Sequence, residues 1–136
     1  TKNGGLAAEA VVFFRRDLVR DFELRRKRAG HLLSKSRYAS AQLLAYVSTD
    51  AWSRNAGRAN AAARRIGDAC GESLLEPVEA NEVFVRIGEP AKAALRAQGF
   101  EFYDWGAAQS GEARFVASWD QDPRATEALC RALEAL

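Results

Sequence analysis

The sequence predicts an α/β chain in two parts: a strand with three helices, then a small α+β domain carrying a short antiparallel sheet. Three observations predict it. The nearly uninterrupted apolar run Ala8 to Phe14 reads as a strand covered on both faces. A stripe of small and apolar residues runs at helical spacing from about Ala51 to Cys70. Beyond Gly71, short apolar strands alternate with two helices in the order β-α-β-β-α, which suits a compact layer with helices on one side. The change of character lies near residues 70 to 75 and divides the chain into 1–72 and 73–136.

Each element has a local reason. Arg15 to Arg28 reads as one helix, with Leu18, Phe22 and Ala29 about four apart and Asp17, Asp21 and Glu23 placed to meet arginines. Gly30 interrupts it, and Leu32 to Lys35 fits a loop or a short helix equally. Ala39 to Val47 reads as a second helix that turns Leu43, Leu44 and Val47 to a core, and Ser48-Thr49-Asp50 offers a cap to the third. In that third helix Trp52, Ala56, Ala59, Ala63, Ile66 and Cys70 form one face, and its small residues predict a closely packed neighbouring helix. Glu76 to Asn81 is extended, and Val83 to Ile87 is a strand. Pro90 suits the first turn of a helix running to about Gln98, which Gly99 closes. Phe100 to Trp105 alternates like a half-exposed strand, Gly106 to Gly111 turns, Ala113 to Trp119 is a strand, and Asp122-Pro123 starts the last helix.

Composition excludes several classes. The chain has 136 residues, 48% of them hydrophobic and 28% charged, so one ordinary domain with a core is affordable. A net charge of +2 does not describe a nucleic-acid binder, and no nucleic-acid partner is expected. Cys70 and Cys130 stand far apart with a single histidine in the chain, which predicts buried thiols and no metal site. No apolar run is long enough to span a bilayer, so no membrane partner is expected, and a cytoplasmic protein is the default. The chain has no methionine and opens within a motif, which predicts a piece of a longer polypeptide whose missing part lies on the N-terminal side.

Four places carry chemistry. Lys2, at a turn before Gly4-Gly5 and the apolar run, is either a solvated lysine or an amine nucleophile able to form a Schiff base. Between Arg15 and Arg37 nine Lys or Arg accompany three acids, densest at Arg25-Arg26-Lys27-Arg28. This cluster is a solvated face, a phosphate site, or a basic helical nucleic-acid-binding module. Arg114 opens an apolar strand, where it either faces water or pairs with Glu112 or Asp120, or else holds a substrate carboxylate. His31 is either structural or a proton shuttle.

Three blocks then carry a resemblance. Thr1-Lys2-Asn3-Gly4 with Ala8 to Phe14 resembles the cofactor-lysine segment of the low-specificity L-threonine aldolases, fold-type-I enzymes that depend on pyridoxal 5'-phosphate. Arg25 to Lys35 is similar to the segment that follows in that family's bacterial branch, and Arg114-Phe115-Val116-Ala117-Ser118-Trp119 is similar to its late carboxylate-binding strand. The resemblance implies that Lys2 holds the cofactor as a Schiff base, that Arg37, with Lys27 nearby, reaches its phosphate from a neighbouring subunit, and that Arg114 binds the α-carboxylate. It implies retro-aldol cleavage of L-threonine or L-allo-threonine to glycine and an aldehyde, with a related pyridoxal-phosphate β-eliminating lyase as the alternative. It also implies a homo-oligomer, a dimer of dimers with active sites at subunit interfaces. Residues 1–72 would end the large cofactor domain and 73–136 form the small one. The stacking ring, the partner of the pyridine nitrogen and the phosphate loop belong to the preceding large-domain segment, so these residues alone would be inactive.

Overall fold

The structure, a computed structural model, describes residues 1–136. It is a mixed helix and strand chain with one small three-stranded antiparallel sheet. Its contacts form two compact units, Thr1–Trp52 and Ser53–Leu136.

The first unit departs from the sequence reading in three ways. Ala8 to Phe14 forms no strand. A strand is held by a neighbour's backbone, and no segment pairs with this one; Val12 is exposed and Phe14 is 96% exposed. The helix expected over Arg15 to Arg28 is broken into a 3₁₀ turn, Arg16–Val19, and α1, Phe22–Arg28. Asp21 stands between them at φ +62°, a left-handed conformation that cannot continue a helix. The third departure concerns α2, Arg37–Ser48, which forms where expected but buries nothing. Leu44 is 70% exposed and Val47 is exposed too, so the core they were expected to face is not supplied within this unit. The hydroxyls of Ser48 and Thr49 bond back to the carbonyls of Leu44 (2.7 Å) and Ala45 (2.6 Å), closing α2.

The second unit follows its sequence closely. Helix α3, Ala51–Cys70, is the long helix expected, and it buries Ala59, Ala63, Ile66, Gly67 and Cys70. The Trp52 and Ala56 end of the stripe stays outside the core. Strands β1 (Glu82–Arg86), β2 (Tyr103–Trp105) and β3 (Glu112–Val116) run in the order β1-β3-β2. Helix α4, Glu89–Ala97, joins β1 to β2, and α5, Pro123–Glu134, ends the chain. Asp122 caps α5, its carboxylate accepting the Arg124 amide at 2.9 Å, with Pro123 in the first turn.

Alternation divides the sheet into two faces. Val83, Val85, Ala113 and Phe115 point into a core shared with Ile66, Leu95, Leu129 and Leu133. The close helix neighbour expected for α3 is α5. Arg65 of α3 is bonded to Glu127 and Glu134 of α5, and the Cys130 thiol approaches the Arg65 carbonyl at 3.5 Å. Both cysteines are buried free thiols, as expected. Burial, with Cys130 nearby, pushes the Cys70 thiol up to about 12.

One backbone crossing is tight. The Ile87 and Gly88 amides both donate to the Gly111 carbonyl at 3.0 Å, so the chain entering α4 lies on the start of β3. Gly111 has φ +72°, and a Cβ there would stand 2.8 Å from the Gly88 Cα. Backbone cannot swing aside as a side-chain tip can. We expect Gly111→Ala to cost about 2–5 kcal/mol, the sum of a left-handed and an overpacking term. Gly99→Ala, also at positive φ but in open space, should cost only about 1–2 kcal/mol. Equal shifts in urea midpoint for the two would sink the steric account.

Candidate functional site

Lys2 is exposed on a turn, and its neighbours fasten that turn. The Asn3 amide donates to the Tyr46 hydroxyl of α2 and, at 2.9 Å, to the Trp52 carbonyl. The Leu6 amide donates to Gln42 of α2 at 2.7 Å. The turn is thus tied down just after Lys2 while the Lys2 amine makes no ion pair. Arg37, at the first position of α2, lies over the Tyr38 ring at 4.9 Å. Lys27 is in the last turn of α1, exposed with Arg25, Arg26 and Arg28. No ion pair or hydrogen bond joins Lys2, Lys27 and Arg37 to one another. His31 is exposed, and its carbonyl accepts from Arg26 Nε at 3.1 Å.

Arg114 belongs to the second unit. It lies on the middle strand of the sheet, not at an edge. Register sets it between Phe84 of β1 and Tyr103 of β2, on the face away from the core. Its guanidinium lies 4.7 Å from the Tyr103 ring centre and 5.2 Å from that of Trp105. The Trp105 ring is itself braced by Phe84 at 4.9 Å. Neither Glu112 nor Asp120 is its partner. Glu112 pairs with Arg86, and the nearest acid to Arg114 is Glu82 at 3.7 Å, beyond hydrogen-bond length. Arg114 Nε is buried without an acceptor, and the side chain is 24% exposed. A guanidinium with rings beside it and an unsaturated fork can take a planar anion such as a carboxylate.

Residues that sequence reasoning passed over hold this arrangement. Lys92 of α4 is 3% exposed. Its ammonium donates to Glu89 and lies against Asp104, each at 2.7 Å. Asp104 also accepts from Arg96 at 2.9 Å, and Glu89 accepts the Gly111 amide at 3.1 Å. Asp104 is the middle residue of β2, so the strand that turns Tyr103 and Trp105 toward Arg114 turns Asp104 toward α4. The signal was present: Lys92 and Leu95 are three apart and share the buried side of α4.

The second unit is thus a small α+β layer with an arginine on the open face of its sheet. Comparison with known proteins is more specific. No protein-family model matches the chain. It is 46% identical over 135 residues to the low specificity L-threonine aldolase of Pseudomonas aeruginosa, covering 96% of this chain and 38% of that protein. It is 41% identical over 140 residues to the low specificity L-threonine aldolase of a Pseudomonas species, covering all of this chain and 40% of that protein. Over its whole length the chain is similar to these low specificity L-threonine aldolases, and it spans about two fifths of their length.

The ion network makes stability pH-dependent with a definite sign. Lys92, and then Arg96, hold the Asp104 carboxyl below its ordinary range, and Lys92 does the same to Glu89. Asp104, then Glu89, hold the Lys92 ammonium above its ordinary range. Depressed carboxylates stabilise the fold above their unfolded values, and that stability is lost as pH falls through the lower folded ones. The raised lysine stabilises below its unfolded value, and that is lost as pH rises through the folded one. Thermal midpoints should therefore fall off below the carboxylate range and above the lysine range. Asp104→Asn should lower the plateau and flatten the acid limb; an acid limb identical to wild type would contradict the assignment.

Proposed function

We propose that this chain acts within a longer polypeptide as a pyridoxal-phosphate-dependent lyase. It would cleave L-threonine, L-allo-threonine and related β-hydroxy-α-amino acids to glycine and an aldehyde. The observation that carries the proposal is identity above 40% to two proteins of that name across the whole chain. The residues present fit the cofactor's chemistry. Lys2 offers an unpaired amine on a fastened turn, and Arg37 and Lys27 offer exposed cations for a phosphate.

When bound, the cofactor supplies an electron sink for the pair released as the Cα–Cβ bond breaks. Lys2 would hold it through its amine, and Arg37, with Lys27 nearby, would meet its phosphate from a neighbouring subunit. Arg114 would take the substrate α-carboxylate and so fix the rotation that presents the Cα–Cβ bond. Orientation of this kind contributes to a total effect that reaches about 7–11 kcal/mol of barrier in well-oriented systems. The proposal places 1–72 at the end of the large domain with its connecting helices, and 73–136 in the small domain. The exposed apolar side chains of the first unit, Val12, Phe14, Leu44 and Val47 among them, support a covering by further chain. A cytoplasmic homotetramer, inactive as these residues alone, completes the reading.

The test is chemical mapping. Borohydride reduction of the whole polypeptide with cofactor bound, followed by peptide mass analysis, should place the phosphopyridoxyl group on Lys2. Lys2→Ala should lack both the label and the absorbance of the bound cofactor. A label on another lysine would overturn the assignment of Lys2.

A further inference from the structure

We infer that Tyr103 and Trp105 are positioning residues for Arg114, and that the grip of Lys92 on Asp104 sets where they stand. The inference rests on the proposed role of Arg114 as the carboxylate receptor and goes beyond it, because it concerns the residues that hold Arg114 in place.

The argument begins with entropy. An arginine side chain on an open sheet face samples many rotamers, and a ligand that needs one of them must stop the rest. Here the guanidinium is held beforehand. Tyr103 lies directly across the strand pair, and Trp105, two residues on, closes the same side. Trp105 cannot easily turn away, because Phe84 stands against it and its carbonyl is tied to the Ser110 hydroxyl at 2.9 Å. The rings supply no acceptor for Nε, which is buried without one, so the ends of the fork are what Arg114 presents. One end lies 3.7 Å from Glu82, near enough to be steered and too far to be saturated.

The rings depend in turn on β2. This strand has three residues, lies at the sheet edge and pairs only with β3. Its second attachment is Asp104, held by Lys92 and Arg96 of α4. Lys92 is nearly sealed and shared between Glu89 of its own helix and Asp104, so its charge ties β2 to α4. Lys92 therefore acts on Arg114 at two removes, through Asp104 and then the rings.

The test uses the holoenzyme, the whole polypeptide with cofactor bound, and reads KM and kcat for L-threonine separately. Tyr103→Leu and Trp105→Leu should each raise KM about five- to tenfold, the size expected of a lost cation–π contact. Absorbance of the bound cofactor should be unchanged, and kcat should change by less than about twofold. Tyr103→Phe and Trp105→Phe, which keep a ring, should restore KM. Arg114→Ala separates the two levels of argument. If it raises KM strongly while both leucine variants leave KM within twofold, the positioning role is overturned and the carboxylate reading survives. If Arg114→Ala leaves KM unchanged, the carboxylate reading itself fails. Should a leucine variant not fold, the phenylalanine variants still decide: a KM raised as far as by Arg114→Ala in either would overturn the claim that a ring suffices.

Discussion

An ammonium group that has given up nearly all its water must be answered by carboxylates, and Lys92 is answered by two of them from different elements. Glu89 comes from its own helix and Asp104 from the edge strand. Because Glu89 also takes the Gly111 amide, the same charge touches the start of the middle strand. Helix α4, β2 and β3 are thus located by one cation. A three-residue strand could not be located by apolar burial, since none of Tyr103, Asp104 and Trp105 is buried. The ion pair supplies what hydrophobic contact does not, and with the ammonium buried while its carboxylates stay exposed it is better evidence for specificity of arrangement than for net stability.

From that fixing the sheet acquires two unlike faces. One is the apolar core with α3 and α5. The other holds Phe84, Tyr103, Trp105 and Arg114, with the Arg86–Glu112 pair beside them, and is the face the proposed chemistry needs. The two units also differ in kind. The second closes around a core of its own, whereas in the first only Ala8 is buried. Hydrogen bonds from Asn3 and Leu6 to Tyr46, Trp52 and Gln42 hold the Lys2 turn where apolar packing is missing.

Legibility in the sequence followed the presence of a partner within the chain. Helix α3, the two strands flanking the core and α5 were readable because their apolar positions meet each other, and period and capping then agree with burial. Ala8 to Phe14 carries the pattern of a buried strand and forms none, because nothing here pairs with it. The Arg15 to Arg28 helix broke at Asp21 for a related reason: without a face to bury, local propensity is a weak constraint. At the site, Arg114 was readable as an unusual charge on a strand, and the basic cluster was visible as charge. Its aromatic neighbours and Lys92 were not assigned roles, since cross-strand register and a charge on the inner side of a helix depend on pairing that one-dimensional spacing does not contain.

The two thiols have a practical consequence. With Cys70 held near 12 and Cys130 raised by burial as well, the reactive thiolate at neutral pH is a minute fraction of either. Neither sulfur should compete with a cysteine introduced at the surface. The second unit is therefore a ready host for a single spectroscopic label, attached beside the rings of the open sheet face without first removing a native residue.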